Sequence, residues 1–276
     1  MKTYKAIALD IDGTLTNTKK EVTPRTKKAV NQAMEAEKVV IVASGRPTAG
    51  IRGISEALKL EEKGGYILAF NGARIMNCKT GEVIYQNVLP RDMIPVLYKE
   101  ALEHNVSIIT YEGDDVICGC NHDKYVDIEA KINNIKVNDV DNFDQYVTFD
   151  VNKCLMTGEP EKLATLEKEM QEKYGDRLSI YRSEPFFLEF MPLNVDKANS
   201  LSHLLKHLGL KREELIAIGD GFNDLSMIKY AGLGVAMSNA QEVVKENADK
   251  VTKSNEEDGV AHIIEEYLIK ESRKTA

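Results

Sequence analysis

The stretch Ala6-Ile7-Ala8-Leu9-Asp10-Ile11-Asp12-Gly13-Thr14-Leu15 decides how the rest of the chain is read. Its opening residues are uniformly apolar, as in a strand buried on both faces of a parallel sheet. Asp10 and Asp12 then emerge at the carboxyl end of that strand, the edge where open α/β sheets bind ligands. Two carboxylates this close stay ionised only beside a cation or hydrogen-bond donors. A hard dication suits a set of carboxylate and carbonyl oxygens. Taken alone, the segment reads equally well as a solvated turn, because Asp and Gly are common turn residues.

Outward from this strand the pattern repeats. Thr23 is an N-cap and Pro24 fits the first helical position. Ala29, Val30, Ala33 and Met34 follow at helical spacing. Val39-Val40-Ile41-Val42 reads as a second buried strand running into Ala43-Ser44-Gly45-Arg46-Pro47. A helix over 51–60 precedes a third strand, Tyr66-Ile67-Leu68-Ala69-Phe70, which ends at Asn71-Gly72. Strand–helix units with polar strand ends describe an α/β fold, a Rossmann-like doubly wound parallel sheet.

The middle of the chain changes style. Helices are expected over 90–104 and 161–174, and strands over 106–111, 116–118, 146–149, 153–156, 178–181 and 186–191. Adjacent strands between helices suggest an α+β module with an antiparallel sheet. The expected organisation is therefore a core from 1–85 and 190–276, interrupted by an inserted domain at 86–189. Leu215-Ile216-Ala217-Ile218 resumes the parallel pattern and ends at Gly219-Asp220-Gly221-Phe222-Asn223-Asp224. Helices over 225–231, 240–247 and 259–269 alternate with strands at Gly234-Val235-Ala236-Met237 and Lys250-Val251-Thr252, and a frayed basic tail is expected beyond.

Composition narrows the classes. A hydrophobic content of 43% over 276 residues provides a real core. With 36 Lys and Arg against 44 Asp and Glu, the formal charge of −8 argues against a nucleic-acid or anionic-membrane surface. No segment approaches the ~20 apolar residues of a membrane span, and Met1-Lys2-Thr3-Tyr4-Lys5 leaves no room for a signal peptide before the first strand. Cys78, Cys118, Cys120 and Cys154 lack the density of a disulfide framework. A soluble cytoplasmic protein, monomer or homodimer, is expected.

Four polar clusters lie at strand ends or just before a helix: Asp10/Asp12, Ser44-Gly45, Lys197 and Asp220/Asn223/Asp224. Turn formation alone does not account for so regular a placement. Carboxylate pairs, a hydroxyl and a lysine are the parts needed to handle a phosphate, with backbone N–H groups at Gly13 and Gly45 as further donors.

At these residues the chain resembles the haloacid dehalogenase superfamily. Asp10-Ile11-Asp12-Gly13-Thr14-Leu15 is similar to its first motif, Ser44 to the second, Lys197 to the third and Gly219–Asp224 to the fourth, in the family's order. The module between the second and third motifs resembles the C2-type cap of the Cof-type (IIB) branch, rich in sugar-phosphate phosphatases. The resemblance implies a Mg²⁺-dependent phosphatase of small phosphorylated metabolites, its active site between core and a mobile cap. It makes Asp10 the nucleophile that forms an aspartyl-phosphate and Asp12 the general acid and then base. Mg²⁺ would be held by the carboxylates of Asp10 and Asp220 and the backbone carbonyl of Asp12. Ser44, Gly45, Lys197 and Asn223 would bind the phosphoryl group, with Asp224 behind them orienting Lys197 or a metal-bound water. A phosphomutase of the superfamily would share the covalent intermediate but return the phosphoryl group to its substrate. A regulator that merely binds a phosphometabolite has no need for both Asp10 and Asp12.

The third motif departs from the commonest form, since Asn194 and Ala198 stand where many relatives have glycine. Asn71-Gly72 reads as a substrate contact or a plain turn. Arg46 reads as a ligand for a second anionic group or as structural support. Cys118-Gly119-Cys120-Asn121-His122 carries soft ligands but lacks a second pair at useful spacing, so it is expected to be metal-free.

Overall fold

The computed structural model describes residues 3–269, which form two compact units. The expected basic tail from residue 270 lies outside the described residues. One unit takes residues 3–45, 51–85 and 196–269, and the other takes 46–50 and 86–195.

The first unit is built on an eight-stranded sheet. In spatial order its strands are Lys250–Val251, Leu233–Ala236, Leu215–Gly219, Ala6–Leu9, Val39–Ala43, Tyr66–Ala69, Arg74–Asn77 and Val83–Gln86. The first six are mutually parallel. The inner five are largely buried on both faces because helices cover both, while Val251 of the edge strand is exposed. Ala6, Ala8, Ile41, Ala43 and Leu68 share one face with Leu201, Leu204 and Leu205 of the helix Lys197–His207 and Met227 of the helix Leu225–Tyr230. The helix Pro24–Glu35 starts as its sequence dictates: the Thr23 hydroxyl accepts from the Thr26 N–H at 3.2 Å, and Pro24 occupies the first turn. Its buried Thr26, Ala29, Val30 and Ala33 recur at helical spacing.

The Arg74–Asn77 strand pairs antiparallel with Tyr66–Ala69, and Arg74–Asn77 and Val83–Gln86 were not read from the sequence. Their signal is a turn in which Asn77 Oδ1 accepts from the N–H groups of Lys79 and Thr80 while Gly81 adopts φ +72°.

The second unit holds a six-stranded sheet in the order Leu178–Glu184, Phe187–Pro192, Cys154–Thr157, Ser107–Glu112, Asp115–Cys120, Lys136–Asp139. All neighbours are antiparallel except the last pair, which is parallel and connected through the helix Lys124–Asn133. The expected domain boundary at 189 falls inside the strand Phe187–Pro192, which pairs with Leu178–Glu184 as far as Pro192. The expected strand at 146–149 is also corrected: Phe143–Tyr146 is a helical turn. Phe143 and Val147, four residues apart, are the side chains it buries, a helical period rather than an alternation. No helix among the described residues is long and apolar enough to cross a membrane.

Candidate active site

Parallel pairing of Ala6–Leu9 with Leu215–Gly219 sets Leu9 beside Ile218, and the Asp10 N–H continues the ladder to the Ile218 carbonyl at 3.1 Å. Asp10 and Asp220 therefore leave the same sheet edge side by side. This is also where the strand order reverses, with the strands from Val39 on one side and those from Leu233 on the other. The chain after Asp10 turns sharply. The N–H groups of Leu15 and Thr16 both donate to the Ile11 carbonyl at 3.0 Å, and the Thr16 hydroxyl does so at 2.9 Å. Gly13 sits at φ +84°, where a Cβ would come within 2.4 Å of Asp220 Oδ2, so the turn needs glycine for both conformation and space. It also lets the Thr14 hydroxyl donate to Asp220 Oδ1 at 2.6 Å.

Lys197 opens a helix whose N-cap, Asp196, accepts from the Asn199 N–H at 2.9 Å. Ala198 lies inside that helix. One turn on, the Ser200 hydroxyl donates to the Gly72 carbonyl at 2.6 Å, anchoring the helix to the loop after Tyr66–Ala69. The Lys197 side chain is wholly buried, and its Nζ donates to Asp10 Oδ1 at 2.7 Å, Asp224 Oδ1 at 2.6 Å and the Ala43 carbonyl at 2.9 Å. The other oxygen of Asp224 accepts from the N–H groups of Asp220 and Gly221, both at 2.9 Å. Asp224 thus clamps Lys197 with one oxygen and the Asp220 loop with the other.

Burial is expensive for so many charges. It pushes the Asp10 carboxyl up to about 8, and the repulsion of Asp224 and Asp220 adds to the effect while Lys197 opposes it. Asp220 is pushed up to about 6 by burial, against the pull of the Thr14 hydroxyl. Burial alone would lower Lys197, but Asp10 and Asp224 outweigh it and hold the lysine above its ordinary value. One ammonium pairs with Asp10 and Asp224 but not Asp220, while the ligand oxygens of all three carboxylates lie within 4.8 Å of one another. This surplus of negative charge on hard oxygen donors fits a divalent cation.

The remaining candidates divide. Asp12 is half-exposed and its Oδ1 takes a 2.7 Å ion pair from Lys20. Ser44 is buried, and its carbonyl accepts from the Asn71 N–H at 2.9 Å. Gly45 faces the Asn71 side chain, which a Cβ would approach to 3.1 Å. Asn71 is left-handed (φ 52°, ψ 22°), and its Oδ1 accepts from Asn223 Nδ2 at 3.2 Å, joining the loop after Tyr66–Ala69 to the Gly219–Asp224 segment. Arg46 donates to the Gly50 carbonyl at 3.2 Å and belongs to the second unit. Three contacts escaped the sequence reading. Thr14 was legible as the hydroxyl inside the first motif, and Asn239, which donates to the Gly13 carbonyl at 2.8 Å, follows a strand end like the others. Lys20 sits in a loop with no pattern to single it out.

A buried carboxylate held against an ammonium, a second carboxylate at its side and an exposed third one can together position a phosphate and attack it. The family model for haloacid dehalogenase-like hydrolases matches residues 7–264. A haloacid dehalogenase-like hydrolase from Bacteroides thetaiotaomicron is 46% identical in sequence and superposes with a TM-score of 0.92 over 96% of this chain and 99% of its own. A subclass IIB sugar phosphatase of the superfamily, 28% identical, gives 0.80 over 96% and 99%. A 5-amino-6-(5-phospho-D-ribitylamino)uracil phosphatase of Bacillus subtilis is 31% identical over 96% of either chain.

Proposed function

This chain belongs to the haloacid dehalogenase-like hydrolases and is a phosphatase of that family; we propose that it hydrolyses sugar-phosphate monoesters with Mg²⁺, through a phosphoryl group carried covalently on Asp10. The observation that carries this reading is the buried Lys197–Asp10–Asp224 triad beside Asp220. A structural ion pair has no use for a surplus carboxylate at a sheet edge, whereas a nucleophile aimed at an anionic ester needs cations around it. The sugar-phosphate class is supported by the sugar phosphatase and the phosphoribityl phosphatase among its relatives.

Asp10 attacks phosphorus with its free carboxylate oxygen while Lys197 holds the other. The P–O bond to the sugar breaks, and Asp12 gives a proton to the departing alkoxide. Asp12 then takes a proton from water, the water oxygen attacks phosphorus, and the bond to Asp10 breaks to release phosphate. The proton taken from water restores Asp12 to the acid form for the next substrate, and its half-exposed carboxylate is held in place by Lys20. Ser44 and Asn223 donate to the phosphoryl oxygens, and Lys197 neutralises the charge that gathers on them. A bound Mg²⁺, held by Asp10, Asp220 and the Asp12 carbonyl, would screen the approach of one anion to another.

The test is phosphate release from a panel of sugar phosphates with Mg²⁺, with excess chelator, and with Asp10→Asn. Turnover that needs both the metal and Asp10 is expected. Turnover surviving complete chelation, or unchanged in Asp10→Asn, would overturn the mechanism.

A further inference from the structure

In the second unit, one turn of sequence carries more chemistry than its neighbours require. The strand Asp115–Cys120 pairs antiparallel with Ser107–Glu112, setting Ile109 opposite Cys118 and Ile108 opposite Cys120, so Gly119 is the additional residue of a β-bulge. Only glycine fits there, since a Cβ would lie 2.5 Å from the Phe143 Cβ. The bulge parts the two cysteines. Cys118 packs with Ile109, Tyr125 and Val126, whereas Cys120 packs against the group containing Val106 and Phe143. A Cys-x-Cys chelate is thereby ruled out, and Cys118 is left facing a different partner.

That partner comes from the neighbouring edge strand of the same sheet. Lys136–Asp139 pairs parallel with Asp115–Cys120, with Cys118 directly beside Asp139. Asn121 reverses the chain at φ 47° and returns His122 over the pair. His122 Nδ1 lies 2.8 Å from Asp139 Oδ1, and its Nε2 lies 3.2 Å from Asp127 Oδ1. A thiol, an imidazole nitrogen and a carboxylate oxygen thus stand within 4.8 Å of one another. The thiol is buried, while His122 and Asp139 open to solvent.

We propose that Cys118, His122 and Asp139 form a second cation site, for a borderline-soft divalent ion such as Zn²⁺. The donor set is the S, N, O mixture that zinc takes with water in the fourth position. Tetrahedral bonds of about 2.0–2.3 Å place donors about 3.3–3.8 Å apart. The His122–Asp139 pair at 2.8 Å has to open slightly, and both of these exposed side chains have to settle around the buried Cys118 thiol, which lies within 4.8 Å of them. The hydrogen between His122 and Asp139 stands where the ion binds, and metal uptake displaces it together with the Cys118 proton. Asp127, on the far ring nitrogen, then plays the orienting carboxylate that metal-bound histidines commonly have. The sequence offered no second ligand pair near Cys118. The parallel strand pairing supplies the third ligand from seventeen residues beyond His122. Bound there, the ion ties the edge strand Lys136–Asp139 and the His122 loop to the sheet.

The site is tested on the full chain by Co²⁺ titration in saturating Mg²⁺, which occupies hard oxygen donors. The expected result is one Co²⁺ per chain giving a thiolate-to-cobalt charge-transfer band and intense tetrahedral visible bands, all displaced by Zn²⁺. Cys118→Ser should abolish the charge-transfer band and Cys120→Ser should leave it. The solvent-facing variants His122→Gln and Asp139→Asn should each weaken binding tenfold or more. Absence of the band in the wild-type chain, its survival in Cys118→Ser, or unchanged affinity in both His122→Gln and Asp139→Asn would overturn the proposal.

Discussion

Asp10→Asn should destroy turnover and yet stabilise the metal-free protein. The Asp10 carboxyl is pushed from 3.8 up to about 8 in the folded chain. For a group raised on folding, the stabilising contribution is complete below 3.8 and is lost as pH climbs towards 8. Each unit is worth about 1.4 kcal/mol, so by neutral pH the loss is at most about 4 kcal/mol, and sharing of the charge with Lys197 brings it to roughly 2–4. Asparagine keeps an oxygen to accept the Lys197 hydrogen bond but removes the repulsion from Asp224 and Asp220. At about 3 °C per kcal/mol, the variant should melt roughly 6–12 °C above wild type near pH 8 in chelator. The gap should narrow towards pH 5, because the proton that Asp10 holds in the folded chain costs less to keep as pH approaches the unfolded-state value of 3.8. Calorimetry or dye-based melting across this range, with chelator and then with Mg²⁺, reads the effect. Mg²⁺ should raise the wild-type melting temperature much more than that of the variant. Parallel pH curves for the two proteins, or equal Mg²⁺ shifts, would refute the reasoning.

Other perturbations separate the parts of the site. Lys197→Met leaves Asp10 and Asp224 buried without their cation, so a loss of about 3–5 kcal/mol in urea unfolding at neutral pH is expected, with part of it recovered in the Lys197→Met/Asp10→Asn double variant. Thr14→Val removes a 2.6 Å hydrogen bond to Asp220, and calorimetric titration should show divalent-cation affinity falling about tenfold. Asp12→Asn should slow hydrolysis of a sugar phosphate by about 10²–10⁴. A pre-steady-state burst with an aryl phosphate should persist in that variant, because phenolate leaves without a proton while breakdown of the intermediate lacks its base.

Much of this site was legible because its residues sit on elements with unambiguous patterns. Ala6–Leu9, Val39–Ala43 and Leu215–Gly219 are apolar on both faces, which marks them as parallel strands and fixes the edge where Asp10, Ser44 and Asp220 emerge. Lys197 was placed by its motif, but its complete burial against two carboxylates was not, because Asp10 and Asp224 are brought to it from positions 187 and 27 residues away. Lys20 pairs with Asp12 through a left-handed residue in a loop, a conformation with no sequence period. In the second unit, Phe143 and Val147 are buried one helical turn apart within a stretch whose β-branched and aromatic residues suggest a strand. There tertiary burial overrode local propensity. The Cys118–Asp139 neighbourhood arises from strand pairing alone, so no local motif announces it.

The central claim is that the phosphoryl group is carried on Asp10, and borohydride reduction tests it most directly. Enzyme mixed with a sugar phosphate and Mg²⁺ and quenched in the steady state is reduced, digested and read by mass spectrometry. An acyl phosphate on Asp10 should be converted to homoserine at position 10, in a substrate-dependent yield that vanishes in Asp10→Asn. Reduction at a different carboxylate, or none at Asp10 under conditions where phosphate is being released, would contradict the mechanism.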